Sequence, residues 1–430
     1  MGLTRRPRLL FLCHTLPYPP DGGIWIRTYH VLRMLAEAFE ITALCFERAA
    51  SSGADPGRQA AAAREALRPI AWLEVFPIPQ RHSRIRFGFD HLRSLATRRV
   101  YTTFVYDSRP FQRRLNELLA IGRFDLVHAD SLDLARYLPA CGGLPVVCVH
   151  IDIESALLRR RAAVEAAAWR RAYFGYQARR MEEVERQWCP RVALNVAVSD
   201  RDRDRILHLA PHARVAVVPN GVDTTEFQPR GVIGAGVAFA GGTNPFPNLD
   251  ALHFFAGDIL PHLRAAGQHG PVRWIGRASP EQQEDFGAKY GIELTGYVDD
   301  VRPLLHEAAC HVAPLRVGGG TRLKILNSWA MGKPVVSTSV GCEGLQAADG
   351  DNILIRDDPK AFAEAIHSVL TNPALRQRLG ERGRATAERV YSWEAIGRSM
   401  CDTYLSVATG RAQHPAWTGT TADVQPRYSY

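Results

Sequence analysis

The chain has 430 residues, beyond the size at which one hydrophobic core keeps growing, so two domains are expected. Hydrophobic residues make up 46% and charged residues 23%, an ordinary globular composition, and no run of about eighteen apolar residues is present to span a bilayer. The net charge of +9 is carried almost wholly by arginine. With no aromatic RNA motif, zinc-finger spacing or basic zipper, it points to an anionic substrate or anionic membrane and not to nucleic acid.

Short apolar runs alternate with helical patterns along the chain. The opening "MGLTRRPRLLFLCHTL" sets arginines before an apolar run, as a signal peptide does. The run is short, contains His14 and leads into a turn, so "RLLFLCHT" (8–15) reads as a first strand. "IWIRTYHVLRMLAEAF" (24–39) has helical spacing, and "ITALCF" (41–46), "FDLVHAD" (124–130), "PVVCVHI" (145–151) and "VALNVAVS" (192–199) continue a strand series. One long Arg- and Ala-rich helix is expected from Glu154 to Trp188. A second series begins at "VAVVPNGVD" (215–223) and runs through "GVAFAGG", "VRWIGR", "IELTGYV", "HVAPL", "PVVST" and "NILIR".

Continuous apolar strands separated by helices imply parallel sheets covered on both faces. The fold class is therefore α/β, with two doubly wound Rossmann-like domains, over residues 1–212 and 213–391. The helix pattern 392–410 is expected to pack back on the first domain, and the polar, aperiodic tail 411–430 to be disordered. Eight scattered cysteines without a C-x-x-C pair suit core thiols in a reduced, cytoplasmic compartment.

The densest chemistry lies in "PLRVGGGTRLKILNSWAMGKPVV", Pro314 to Val336. A strand ends at a Gly-rich turn, Thr321 is placed to cap a helix over Arg322–Met331, and Gly332 and Pro334 stop that helix. Backbone amides of Gly318, Gly319 and Gly320 at the positive end of a helix suit a phosphate group, and Arg322 and Lys324 add charge. Lys324 and Asn327 are three apart and share a face, so Asn327 is a hydrogen-bonding partner for a sugar or ribose. The plain alternative is a structural turn with solvated cations.

These residues resemble the retaining glycosyltransferases of family four, with the GT-B fold of two domains facing across a cleft. "VVPNGVDTTEFQP" (217–229), "VAFAGGTNPFPNLDALHFFAGDILPHL" (237–263), "LTGYVDDVRPLLHEA" (294–308), the 313–345 segment and "DGDNILIRDDPKAFAEAI" (349–366) carry the likeness, which is strong in the second half. In the first half "HTLPYPPDGGIWIRTYHVLRML" and "VHIDIESALLRRRA" match only in outline.

The resemblance implies a donor-binding second domain and an acceptor-binding first domain. Gly241, Gly242 and Thr243 match the donor loop, and Arg277, Tyr297 and Val298 the neighbourhood of the base. Gly22, Gly23 and Arg27 match the acceptor-side loop. Two glutamates eight apart in many relatives are Gly319 and Asn327 here, which leaves Glu343 in "GCEGL" as another group for donor hydroxyls. His150 is the candidate counterpart of the first-domain histidine; a register aligned on "ES" puts Ile151 there instead, with Asp152 next to it, and Asp152 and Glu154 are the alternative polar groups of that loop.

The implied reaction moves a sugar from a nucleoside diphosphate to an acceptor hydroxyl of a glycan or lipid-linked molecule, with no cofactor and no metal. Surface polysaccharide or glycolipid assembly is the expected setting, and the arginine- and aromatic-rich stretch 81–104 suits peripheral contact with an anionic membrane. A non-catalytic nucleotide-sugar-binding partner and a sugar-nucleotide epimerase are the alternative readings.

Overall fold

The computed structural model describes residues 5–20, 23–48, 55–165, 167–231, 234–243, 246–317 and 322–410. Gly22, Gly318, Gly319, Gly320, Thr321 and the tail 411–430 lie outside the described residues. The chain divides into two compact units, Met1–Pro219 with Gly397–Tyr430, and Asn220–Ile396.

The first unit is built on β1 (Arg8–Cys13), β2 (Glu40–Phe46), β3 (Trp72–Phe76), β4 (Leu126–Ala129), β5 (Val146–His150), β6 (Leu194–Ala197) and β7 (Val215–Val217). They form a parallel sheet of order β3-β2-β1-β4-β5-β6-β7. Leu9, Leu10, Phe11 and Leu12 are all fully buried along β1, as a strand covered on both faces requires.

Three features differ from the sequence expectation. β7 closes the first sheet and does not open the second, because Ala197 pairs with Val217 before the chain reaches Pro219. β3 escaped the apolar-run reading because Glu74 interrupts it, yet Glu74 faces Arg114, whose Nε lies 2.9 Å from both carboxylate oxygens. The expected long helix is two, Glu154–Val164 and Ala168–Trp188. The break lets the second fold back on the first, so that Arg159 Nε meets Glu182 at 2.6 Å and Ser155 Oγ donates to Glu185 at 2.5 Å.

The second unit contains β8 (Val237–Ala240), β9 (Val272–Ile275), β10 (Ile292–Leu294), β11 (Cys310–Ala313), β12 (Val335–Ser337) and β13 (Leu354–Ile355). Their order is β10-β9-β8-β11-β12-β13, again parallel. Both sheets therefore reverse their winding beside a central strand, between β1 and β4 and between β8 and β11. Strand ends at such a reversal form a crevice that holds ligands.

The helix Leu323–Ala330 follows β11. It is shorter than expected at both ends: Arg322 takes the N-cap position without a side-chain capping bond, and Gly332 turns the chain with φ of 65° just after its end. Trp329 anchors it, fully buried, with its indole Nε1 donating to Asn352 O at 2.9 Å. Trp329→Ala should lower unfolding stability by about 3–5 kcal/mol, read as a shift of the urea midpoint.

Candidate active site

At the reversal in the second unit, β8 ends in Gly241, Gly242 and Thr243, and β9 in Gly276 and Arg277. A Cβ on Gly276 would stand 2.5 Å from Gly242 N, and one on Gly242 would stand 2.9 Å from Arg277 O. The two turns thus pack backbone against backbone, which glycine alone permits; Gly276 also has φ of 141°. Thr243 is buried, with its N donating to Arg277 O at 2.8 Å and its hydroxyl 2.7 Å from Gln282 Oε1. Its hydroxyl thus ties the two turns together.

Lys324 reaches this turn from the helix after β11. Its Nζ donates to Asn248 Oδ1 at 2.8 Å and stands 4.1 Å from the centre of the Phe239 ring. Asn248 Nδ2 in turn donates to Gly242 O at 2.8 Å. No carboxylate pairs with Lys324 among the described residues. Burial, with the charge of Arg322 added, pushes its pKa down to about 7. Arg322 is buried and its Nη2 donates to Val340 O at 3.1 Å, in the turn that carries half-buried Glu343. Asn327 is half-buried on the flank of the helix it shares with Lys324. An ammonium and a guanidinium thus lie two residues apart at the start of one helix, with the amide of Asn248 beside the ammonium.

Arg277 and Tyr297 are both exposed and associated, the guanidinium 4.8 Å from the ring centre. An antiparallel bridge between Gly276 and Gly296 holds their turns together. Val298 instead turns inward, against Ile275, Leu305 and Met331.

In the first unit, His14 follows β1, Asp130 follows β4 and His150 ends β5. They line one small cavity with Asp152, Glu154 and Glu185. Asp130 is buried and accepts from Thr28 Oγ1 at 2.8 Å, with His128 Nε2 at 3.4 Å. Burial would raise its pKa, but the His128 bond and the neighbouring His14 outweigh this and hold it below the usual carboxylate range.

His150 Nε2 lies 2.9 Å from Asn195 Oδ1. Asn195 spends its amide hydrogens on Cys189 O and Arg214 O, so its oxygen accepts and His150 carries its hydrogen on Nε2. Burial pushes the imidazole pKa down to about 4, leaving a neutral ring whose Nδ1 can only accept. Burial, then the carboxylates of Asp133, Asp152 and Glu185, raises Glu154 well above its ordinary range. Glu185 is pushed up to about 7, chiefly by burial.

Arg27 does not reach an acceptor-side space. It is 2% exposed, and its Nη1 and Nη2 donate to Pro219 O and Val218 O, both at 3.0 Å. Its work is to fasten the chain leaving β7. Gly23, exposed, begins the helix Gly23–Ala38 beside it. Cys13, His14 and Asp130 place their ligand atoms within 4.8 Å of one another, as a metal site would. Burial raises the Cys13 thiol well above its usual range, so it stays protonated, and Sγ lies 2.7 Å from Thr15 O. This donor set fits a hydrogen-bonded core better than a metal ion.

Residues 21–226 match the family model described as Glycosyltransferase Family 4, and residues 234–372 the one described as Glycosyl transferases group 1. The chain belongs to the group 1 glycosyltransferases of family four. It is 38% identical over 136 residues to the lipopolysaccharide core biosynthesis glycosyltransferase LpsE of Rhizobium meliloti, covering 30% of this chain and 36% of that one. The chain thus spans little more than a third of the length of LpsE. It is 26% identical over 408 residues to the MMP alpha-(1->4)-mannosyltransferase of Mycolicibacterium hassiacum, covering 89% and 94% of the two chains. Among solved structures, HepE of Anabaena in complex with UDP shares the fold, with a TM-score of 0.64 at 14% identity over 93% of this chain and 100% of that one.

For this family-four chain, sequence reasoning missed Asn248, Phe239, His14, Asp130 and Asn195. Asn248 had a signal, a polar residue just after the Gly-Gly turn; Asn195, inside an apolar strand, had only its mismatch with its neighbours.

Because Lys324 has a folded pKa below its ordinary 10.5, the unfolded chain binds more protons between about 7 and 10.5. Its penalty is fully present below that window and is relieved as pH rises through it. Lys324→Met should therefore be more stable than wild type at pH 6, with the advantage shrinking toward pH 10, measured by urea denaturation across pH.

Proposed function

We propose that the chain is a retaining glycosyltransferase that moves a sugar from a nucleoside diphosphate sugar to an acceptor hydroxyl in surface polysaccharide or glycolipid assembly. The observation that carries this reading is buried Lys324, with no carboxylate partner among the described residues, at the reversal of the second sheet. The role of LpsE, in lipopolysaccharide core biosynthesis, and the UDP complex of HepE support the setting and the donor class.

In this reading the second unit holds the donor. Lys324 and Arg322 take the diphosphate, joined by the amides of Gly318, Gly319, Gly320 and Thr321. Gly242 leaves room for close backbone approach while Thr243 braces the turn behind it. Charge grows on the diphosphate as the glycosidic bond breaks, and fixed cations and amides stabilise it more than they stabilise the intact donor. These groups take the counter-charge role, so no metal or other cofactor is proposed. Asn327 and Glu343 bind ribose and sugar hydroxyls, and Arg277 with Tyr297 holds the base.

The first unit receives the acceptor, a glycan or lipid-linked molecule. His150 is too weak a base near neutral pH to remove a proton; through Nδ1 it accepts a hydrogen bond from a sugar hydroxyl. Asp152 is the carboxylate beside it, and Glu154, shifted toward its neutral form, is a further hydrogen-bonding group. The protein works in the cytoplasm, peripheral to the inner face of the membrane.

Nucleoside diphosphate release should be followed with uridine, guanosine and adenosine diphosphate sugars. One donor should turn over, and Lys324→Ala should lower kcat/KM by about a hundredfold or more. Binding without turnover across acceptors would make the chain a nucleotide-sugar-binding partner, and unchanged release in Lys324→Ala would remove the diphosphate from this cradle.

A further inference from the structure

The helix Arg84–Thr97 in the first unit is amphipathic in the inverted sense. Its inward face is polar: Asp90 is 1% exposed and lies 3.6 Å from Arg86 Nε, and Ser94 is fully buried. Ser94 Oγ donates to Arg99 O at 2.7 Å and accepts from Gln177 Nε2 at 2.9 Å. His91 stacks on Tyr101 with ring centres 3.9 Å apart. The outward face carries the large apolar side chains, Ile85 at 86% exposure, Phe89 at 59%, Leu92 at 66% and Leu95 at 47%. Steps of four, three and three place these four on one stripe.

A helix normally buries such a stripe, and exposed patches of this kind mark interaction surfaces. The surroundings say what kind. Residues 81–104 hold six arginines against one acid, Asp90, and that acid points inward. Arg81, Arg98 and Arg99 are exposed at the two ends of the helix. A groove of about 1000 Å³ runs beside it, lined by Pro77, Pro79, Ile85, Phe89 and Pro110 together with Arg109 and Asp107, the latter paired with Arg93 and Arg136.

We infer that this helix lies in the surface of an anionic bilayer, with Ile85, Phe89, Leu92 and Leu95 among the acyl chains and Arg81, Arg98 and Arg99 at the phosphates. An apolar stripe bounded by cations and lacking any outward acid is complementary to a layer of anionic headgroups over hydrocarbon. At 14 residues the helix is about 21 Å long, suited to lying along an interface and not to crossing it. The inference rests on the transferase reading only for its purpose, since it names the surface where a lipid-linked acceptor is met.

Vesicle sedimentation tests it without any donor or acceptor. Full-length protein should sediment with vesicles of phosphatidylcholine plus phosphatidylglycerol, less with phosphatidylcholine alone, and less again as salt is raised. Phe89→Glu and Leu92→Glu should each lower partitioning by about tenfold or more, and Arg98→Glu with Arg99→Glu should abolish the preference for phosphatidylglycerol. Circular dichroism should be unchanged; Leu92→Gln serves if a glutamate variant fails to fold. Donor turnover on a water-soluble acceptor should match wild type in all of them, which keeps this test separate from that of the transferase reading. Absence of vesicle binding, binding unaffected by the apolar variants, or a dimer by light scattering that Leu92→Glu splits without any vesicle binding would overturn the inference.

Discussion

A lysine ammonium set against an aromatic ring, bonded to an amide oxygen and with no carboxylate partner among the described residues, is an arrangement that an anion completes. Lys324 is held this way because three separate strand ends converge on it. Phe239, under the ammonium, is itself stacked on buried Trp274 with ring centres 3.7 Å apart, so the cation rests on the core and not on a mobile side chain. Asn248 links it to the carbonyl of Gly242, and the glycine turns of β8 and β9 can approach only because neither carries a Cβ. The desolvation that lowers the Lys324 pKa is the same property that strengthens its attraction for a phosphate. Burying the charged form costs stability at this position, a cost that a bound anion would offset.

The first unit solves a different problem, keeping polar groups at the end of a buried sheet in fixed protonation states. Asp130 stays ionised through Thr28 and His128, and His128 is set by Tyr404, whose hydroxyl donates to Nδ1 at 3.0 Å. Tyr404 belongs to the last helix, Trp393–Ala408, so the C-terminal segment completes a network rooted in β1 and β4. His150 is fixed as a neutral acceptor by Asn195. Glu154 and Glu185 are driven toward protonation by burial and mutual repulsion. A cavity with one sign of charge largely neutralised in this way suits hydroxyl-rich ligands better than ions.

The alternation of apolar strands and helices made both sheets legible, since parallel strands buried on two faces leave continuous runs such as "LLFLC" and "VVCVH". Edge elements were less so: Glu74 hid β3, and three residues of β7 could not declare which sheet they would join. Lys324 was legible because a Gly-rich turn and a cation at a helix start suggest an anion directly. Its partners were not, because Asn248 lies 76 residues away and meets it only through the winding of the sheet. Arg27 was misread for a related reason. Helical spacing gave its position but not the carbonyls of Val218 and Pro219, nearly two hundred residues on, that bury it. Thr243 likewise showed only its place in the Gly-rich turn, and not Gln282, which meets its hydroxyl from 39 residues on. Local pattern shows where charge and backbone freedom sit, and long-range packing decides whether they face a ligand.

The central claim is that a diphosphate settles on the ammonium of Lys324. A phosphate there must raise the lysine pKa from about 7 toward its ordinary range, so binding at pH 8 must draw a proton from solution. Isothermal titration with the tightest-binding nucleoside diphosphate, in buffers of different ionisation enthalpy, counts that proton. The account predicts an uptake approaching one proton in wild type that disappears in Lys324→Met; equal proton counts in the two proteins would contradict it.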